Sequence, residues 1–240
     1  MKIFALADLH LSLDKPYRSE DETTFSGTKP MDIFGTRWDQ HIRRIDENWR
    51  NTVGEKDIVL IAGDISWAMT LEEACFDLDF VASLPGKKIM IRGNHDFWWH
   101  SPKKIRASLD DSISIIQNDA VLLDDIAICG TRLWTLPSSN DFKSDDEVIF
   151  RRELIRQELS LQAAGGRPVI NMTHFMPVDS GETANEVVEL FKKYNVVKSV
   201  YGHLHDKSHA IAVQGEKHGM EFYLTSADYL GFTPRLIAEI

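Results

Sequence analysis

The chain is short of cysteine, of positive charge and of long apolar runs, and each shortage excludes something. Only two cysteines are present, Cys75 and Cys129, far apart and without metal-ligand spacing. A disulfide framework and a thiolate zinc site are thereby set aside, and two reduced thiols in a cytoplasmic protein are expected. Lysine and arginine number 27 against 37 aspartates and glutamates, a net charge of −10. Such a surface repels phosphate backbones, so nucleic acid is a disfavoured partner unless a local cationic site exists. No stretch approaches the length of a membrane span. "MKIFALADLH" starts like a secretory leader, but Asp8 interrupts it before an apolar core forms. Repeats, low-complexity tracts and a Pro/Gly-rich linker that would divide the chain are also missing.

What is present suits one α/β domain over residues 1–240, with 43% hydrophobic residues to build a core. Apolar runs at 3–7, 58–62, 89–91, 169–172 and 196–201 end abruptly in polar residues. Their near-continuous apolarity predicts strands covered on both faces. Helical periodicity marks 38–52, 71–84 behind a Thr70/Glu73 capping box, 145–164 before Gly165-Gly166, and 182–194. Alternation of strand and helix argues for an α/β sheet. Residues 113–116, 120–123, 126–129, 208–213 and 220–225 read as a second set of strands, partly antiparallel, packed on the first. The long segment 11–36 reads either as a lid over a site or as a surface insertion.

The polar residues are placed by rule rather than at random. Asp8 and His10 follow the first run, Asp64 the second, Asn94 the third, His174 the fourth, and His203 with His205 the fifth. In α/β sheets the carboxyl ends of strands converge on one edge, where ligands bind. Asp8-Leu9-His10 and His203-Leu204-His205 each have a spacing of two, which in an extended segment aims both donors at one point and turns the leucine away. Seven oxygen and nitrogen donors exceed one tetrahedral ion, so two divalent ions sharing a carboxylate are expected. Asp64 is the natural bridge. The donor types suit Mn²⁺ first, with Fe, Zn²⁺ or Ni²⁺ also compatible.

Asp8-x-His10, Gly63-Asp64, Gly93-Asn94-His95-Asp96, His174 and Gly202-His203-x-His205, in this order, resemble the calcineurin-like metallophosphoesterase superfamily. The resemblance spans residues 8–205. It implies an αββα four-layer fold in which two mixed β-sheets pack as a sandwich flanked by helices. It also implies that Asp8, His10 and His205 hold one ion, that Asn94, His174 and His203 hold the other, and that Asp64 lies between them. His95 is left free as the proton donor to the leaving group, a role worth about 10²–10⁴ in rate. The implied reaction is hydrolysis of a small phosphomonoester or phosphodiester by in-line attack of a metal-bound hydroxide.

Two alternatives stay open. One is a nucleotide-diphosphate-type pyrophosphatase, because "ADLHLS" resembles the lipid-A-pathway enzymes, which commonly have arginine where this chain has His95. The other is a metal-dependent hydrolase acting on a carbon centre, against which Asp-x-His in place of His-x-His speaks. In the protein Ser/Thr phosphatases Asp-Arg-Gly follows the bridging aspartate. Here Ile65-Ser66-Trp67-Ala68-Met69 stands, which leaves open what orients His95. Gly93 is read as permitting a turn, Arg92 as a phosphate contact or a surface charge, and Asp96 as an imidazole orienter or a cap. Phe97, Trp98 and Trp99 are expected in the core rather than stacked on a nucleobase, and His41, His100, His209 and His218 on the surface. Substrate choice is assigned to segments 11–36 and 132–144.

Overall fold

In the computed structural model, which describes residues 1–19, 29–181 and 183–240, the apolar runs become strands of two sheets. The first sheet contains β1 (Lys2–Ala5), β2 (Ile58–Ile61), β3 (Lys87–Met90), β4 (Ile113–Ile115) and β11 (Arg235–Glu239), in the order β11-β1-β2-β3-β4. The second contains β5 (Val121–Leu122), β6 (Ala127–Thr131), β7 (Val169–Thr173), β8 (Val196–Tyr201), β9 (Gly215–Lys217) and β10 (Met220–Leu224), in the order β5-β6-β7-β8-β10-β9. Both sheets are mixed: β1–β4 and β6, β7, β8 and β10 run parallel, with antiparallel strands at the edges.

Alternation along each strand divides its side chains between two apolar layers. Ile3, Ala5, Leu60 and Ile89 of the first sheet meet Ile128, Ile170, Met172 and Val200 of the second, which fills the space between the sheets. The other face of the first sheet packs on α1 (His41–Thr52) and α2 (Cys75–Ser83) through Phe4, Val59, Ile61, Trp49 and Val81. The outer face of the second sheet packs on α4 (Asp146–Gln162) and α5 (Glu186–Lys193) through Cys129, Phe150, Val188 and Phe191, and α3 (Pro102–Arg106) lies next to β4. The layers therefore run helix, sheet, sheet, helix, as the α/β sandwich requires.

Several boundaries differ from the sequence expectation. Residues 208–213 alternate like a strand, yet Asp206–Ile211 is a 3-10 helix. The reason is that β10 already has both edges occupied, by β8 and β9, so the alternating segment has no free edge there to join. The capping box behind α2 does form, with Glu73 N–H on Thr70 Oγ1 at 3.2 Å, but residues 71–74 are turn and regular helix begins at Cys75. Helix α5 starts at Glu186, where Asn185 accepts the N–H groups of Val187 and Val188; the expected start at Glu182 lies outside the described residues, as do positions 20–28 of segment 11–36. The short edge strands β9 and β11 have no counterpart in the sequence expectation. Both cysteines are free, and among the described residues no helix is long and apolar enough to cross a membrane.

Candidate metal centre

All seven expected donors lie just past the carboxyl ends of β1, β2, β3, β7 and β8, on one edge of the sandwich. Asp8, His10 and His205 present ligand atoms within 4.8 Å of one another, and so do Asp8, Asp64 and His174. Asp64 Oδ2 lies between the groups, 3.8 Å from His10 Nε2 and 3.5 Å from His174 Nε2. Its other oxygen, Oδ1, accepts the His95 N–H at 2.8 Å. Asn94 Oδ1 stands 2.7 Å from His174 Nε2. His203 keeps apart from His205: its ring packs 5.1 Å from His174 and 4.1 Å from Phe175, while His205 Nε2 faces His10 Nε2 at 3.3 Å. The spacing of two thus joins Asp8 with His10 but sends His203 and His205 to different neighbours, and neither pair is the extended segment the spacing suggested, since Asp8, His10 and His203 have φ of 59°, 47° and 71°.

Two glycines are fixed by close approach to the carboxylates. A Cβ on Gly93 would stand 2.1 Å from Asp64 Oδ1, and one on Gly202 would stand 2.4 Å from Asp8 Oδ2. Gly93 is therefore required for want of space beside Asp64, not for the turn the sequence suggested. Asp96 gathers the same region from beneath. Its Oδ2 accepts N–H groups from Gly93 at 2.7 Å and Asp64 at 2.9 Å, and its Oδ1 accepts those of Ile65 (2.9 Å), Ser66 (3.1 Å) and the Trp98 indole (3.0 Å). It anchors the loop that carries Asp64 and does not touch an imidazole through any of these bonds.

The charge balance of the donor set asks for cations. His205 and then His174 and His10 hold Asp8 below the usual carboxylate range, against the effect of burial. Burial, and next the charge of Asp8, push Asp64 up to about 8. Two buried carboxylates so close call for positive charge, which His205 supplies when no ion is bound, pushed up to about 10 against burial by its bonds to Asp228 and Asp8. Burial lowers His10, His174 and His203, so these rings are neutral and offer lone pairs, the form that ligates a metal. His174 Nδ1 gives its hydrogen to the Ala62 carbonyl at 2.9 Å, which leaves the Nε2 lone pair pointed at the Asn94 oxygen. Two acceptors held at 2.7 Å are reconciled by a cation between them, so the residues fit the divalent ions.

Sequence reasoning missed Asp228. It follows β10 and accepts from His205 Nδ1 at 2.9 Å, fixing the ring so that Nε2 faces Asp8. It also lies 3.3 Å from His209 Nε2 and 3.6 Å from Arg37 Nη1. The available signal was the one used for the other donors, a polar residue after an apolar run. His209 is thus a neighbour of the site and not a plain surface group. His41 is likewise buried, against Trp38 and Phe232, with Nε2 unpartnered among the described residues. His95 rests on Trp67, ring centroids 4.4 Å apart, so an indole from the stretch that replaces Asp-Arg-Gly occupies the place where a carboxylate was sought. Trp98 and Trp99 are core residues as expected, but Phe97 is not: it is 45% exposed, because its side chain turns to solvent where the two indoles that follow it are buried.

Residues 1–207 match the family described as Calcineurin-like phosphoesterase. Among solved structures the chain is similar to a phosphopantetheinyl hydrolase from Mycobacterium tuberculosis, with a TM-score of 0.56 and 14% identity over 100% of this chain and 96% of that one. It is also similar to a protein of unknown function from Aquifex aeolicus, with a TM-score of 0.47 and 16% identity over 98% and 95% of the two chains. Likeness at such identities concerns the fold alone. No curated protein matches the chain.

Proposed function

The chain belongs to the calcineurin-like phosphoesterases, metal-dependent hydrolases of phosphoric esters, and on that premise we propose that it hydrolyses a small phosphomonoester or phosphodiester at a dinuclear centre. In this reading Asp8, His10 and His205 would hold one ion, Asn94, His174 and His203 the other, and Asp64 would serve both. The observation that carries it is the convergence of ligand atoms: His174 Nε2, Asn94 Oδ1 and Asp64 Oδ2 on one side, His10 Nε2, His205 Nε2 and Asp8 on the other. Two ions, when bound there, supply positive charge for the phosphoryl oxygens and lower the pKa of a water for in-line attack.

The chain's own groups do the rest. Asp64 Oδ1 holds the His95 backbone, and Trp67 holds the His95 ring, so the imidazole is fixed beside the donor cluster at 6.0 Å from the His10 ring. From there it gives a proton to the oxygen of the departing alcohol. Lys29 Nζ, 5.0 Å from the Trp67 ring, adds a cation on the same side. Manganese is the preferred ion on donor chemistry.

The reading is tested by metal analysis together with a substrate panel. About two ions per chain are expected, and Mn²⁺-loaded protein should hydrolyse at least one of an aryl monoester, an aryl diester, a cyclic nucleotide, a nucleotide diphosphate or a phosphopantetheinyl diester. Turnover that persists after the metal is stripped, or a carbon ester cleaved in preference to all of these, would overturn it.

A further inference from the structure

Beside the donor cluster lies a cavity of about 80 Å³, well above the roughly 10–15 Å³ that one water requires. Its walls include Arg92 after β3, Thr131 and Arg132 at the end of β6, and Glu153 and Arg156 from α4. The segments that carry metal donors carry this wall too. Arg92 stands two residues before Asn94, and the Arg132 carbonyl accepts the N–H groups of His174 at 3.1 Å and Phe175 at 3.0 Å.

Two of the three guanidinium groups there share one carboxylate. Glu153, only 1% exposed, accepts from the Thr131 hydroxyl at 2.8 Å and from Arg156 Nη1 at 2.6 Å, and lies 3.5 Å from Arg132 Nη2. Arg92 has no ion-pair or hydrogen-bond partner among the described residues, and the Nε atoms of both Arg92 and Arg132 are buried with nothing to receive their hydrogens. A buried donor left unsatisfied is costly, and a surface arginine would give that hydrogen to water. Burial, only partly offset by Glu153, and the charges of Arg92, Arg156 and Arg152 hold Arg132 below the ordinary guanidinium value. The wall carries two positive charges in excess, in a chain whose net charge is −10.

We propose that Arg92, Arg132 and Arg156 form an anion subsite that receives a second phosphoryl group of the substrate hydrolysed at the adjacent metal centre. This rests on the phosphoesterase reading and names the substrate class, a compound with two separate phosphoryl groups, one cleaved and one held. Planar guanidinium forks match phosphate oxygens in pairs, and an excess of two positive charges matches a phosphate dianion. Glu153 keeps Arg132 and Arg156 in place while the site is empty of substrate, and Arg132 is further steadied over the Trp134 ring at 4.6 Å.

Arg92→Gln is the variant of choice, because Arg92 has no internal partner to lose. Mn²⁺-loaded wild type and variant are compared on a nucleoside 5′-monophosphate and the matching 3′,5′-bisphosphate. Wild type is expected to prefer the bisphosphate by about tenfold or more in kcat/KM, chiefly through KM, and Arg92→Gln to lose about tenfold of that preference. Arg92→Lys should recover part of it. Absence of a preference in wild type, or its survival in Arg92→Gln, overturns the proposal. Mn²⁺-loaded protein is then titrated with inorganic sulfate by calorimetry, where Arg92→Gln should bind about tenfold more weakly than wild type. Equal binding overturns the subsite outright. Weakened binding alongside an unchanged kinetic preference assigns the pocket to a separate anion and overturns the substrate claim. If wild type cleaves neither nucleotide nor any ester of the panel, the phosphoesterase reading is the one that fails, and the titration still decides the subsite.

Discussion

Replacing Asp96 by asparagine removes one carboxylate oxygen from a group that accepts five N–H donors, and each orientation of the amide leaves a different set of them stranded. If the amide nitrogen takes the Oδ2 position, the N–H groups of Gly93 and Asp64 lose their acceptor and face another donor; if it takes Oδ1, those of Ile65, Ser66 and Trp98 do. At least two buried donors are orphaned either way. At about 1–3 kcal/mol for each, the cost is about 2–6 kcal/mol, a large share of the 5–15 kcal/mol typical of a folded domain. Urea unfolding should therefore show a midpoint lowered by about 0.7–3 M for a slope of about 2–3 kcal/mol per M. Because Asp64 N–H is one of the orphaned donors, the ions retained per chain should fall as well. If Asp96 acted on an imidazole, turnover would drop while the midpoint and the metal content stayed at wild-type values. That outcome, or no change at all, refutes the anchoring role.

Three further outcomes can be measured. Asp228→Ala removes the acceptor that fixes His205, so affinity for Mn²⁺ should fall about 10–100-fold in a metal titration, with the fold retained; unchanged affinity would show that Asp228 does not position that ligand. His95→Ala should keep both ions yet lose about 10²–10⁴ in turnover of an alkyl ester, whose leaving group needs a proton, and an alkyl ester cleaved at the wild-type rate removes His95 from the reaction. Asp77 is buried, accepts the Leu13 N–H at 2.7 Å and pairs with the Ser66 hydroxyl, and burial pushes it up from 3.8 to about 7. Between those values the folded chain keeps a proton that the unfolded chain has lost, so this group's contribution makes stability fall as pH rises through the window. Asp77→Asn imitates the protonated acid, and its advantage over wild type should grow from near zero at pH 4 to as much as about 4 kcal/mol at pH 8. A difference independent of pH in urea unfolding contradicts the reasoning.

Much of this site is legible because strands announce themselves. An apolar run that stops at a histidine or carboxylate marks a strand end, and parallel strands put those ends on one edge. Asp228 obeys the same rule in a weaker form. It comes after β10 just as His174 comes after β7, but a lone aspartate three residues beyond Thr225 carries no metal-like spacing and reads as loop. His41 sits three residues after Trp38 and four before Ile45, on the buried stripe of α1, so its burial is written in the helical period. Asp96 is a different case. Its partners come partly from residues 64–66, some thirty positions earlier, and no local pattern reveals a carboxylate that binds another loop's backbone. The indole against His95 is equally non-local, since Trp67 meets it only after β2 and β3 have paired.

The backbone at the donors shows what the sandwich has to enforce. Asp8, His10, Asp64 and His203 have φ of 59°, 47°, 52° and 71°, a left-handed conformation that costs an ordinary L-residue about 1–2 kcal/mol and aspartate and histidine somewhat less. Each is held there by another strand end. Asp8 N–H donates to Gly63 O at 3.0 Å, His10 N–H to Asp64 O at 3.0 Å, Asp64 N–H to Asp96, and His203 N–H to the Asp8 carboxylate at 3.0 and 3.1 Å. The last of these joins residues 195 apart in sequence and crosses from the first sheet to the second. No strand end therefore holds its donor in place alone: Asp8, His10 and Asp64 are fixed by neighbouring strand ends of the first sheet, and His203 only once the two sheets have docked. Formation of the sandwich and assembly of the donor set are one event, which is why damage to a purely structural group such as Asp96 is expected to appear in the metal content.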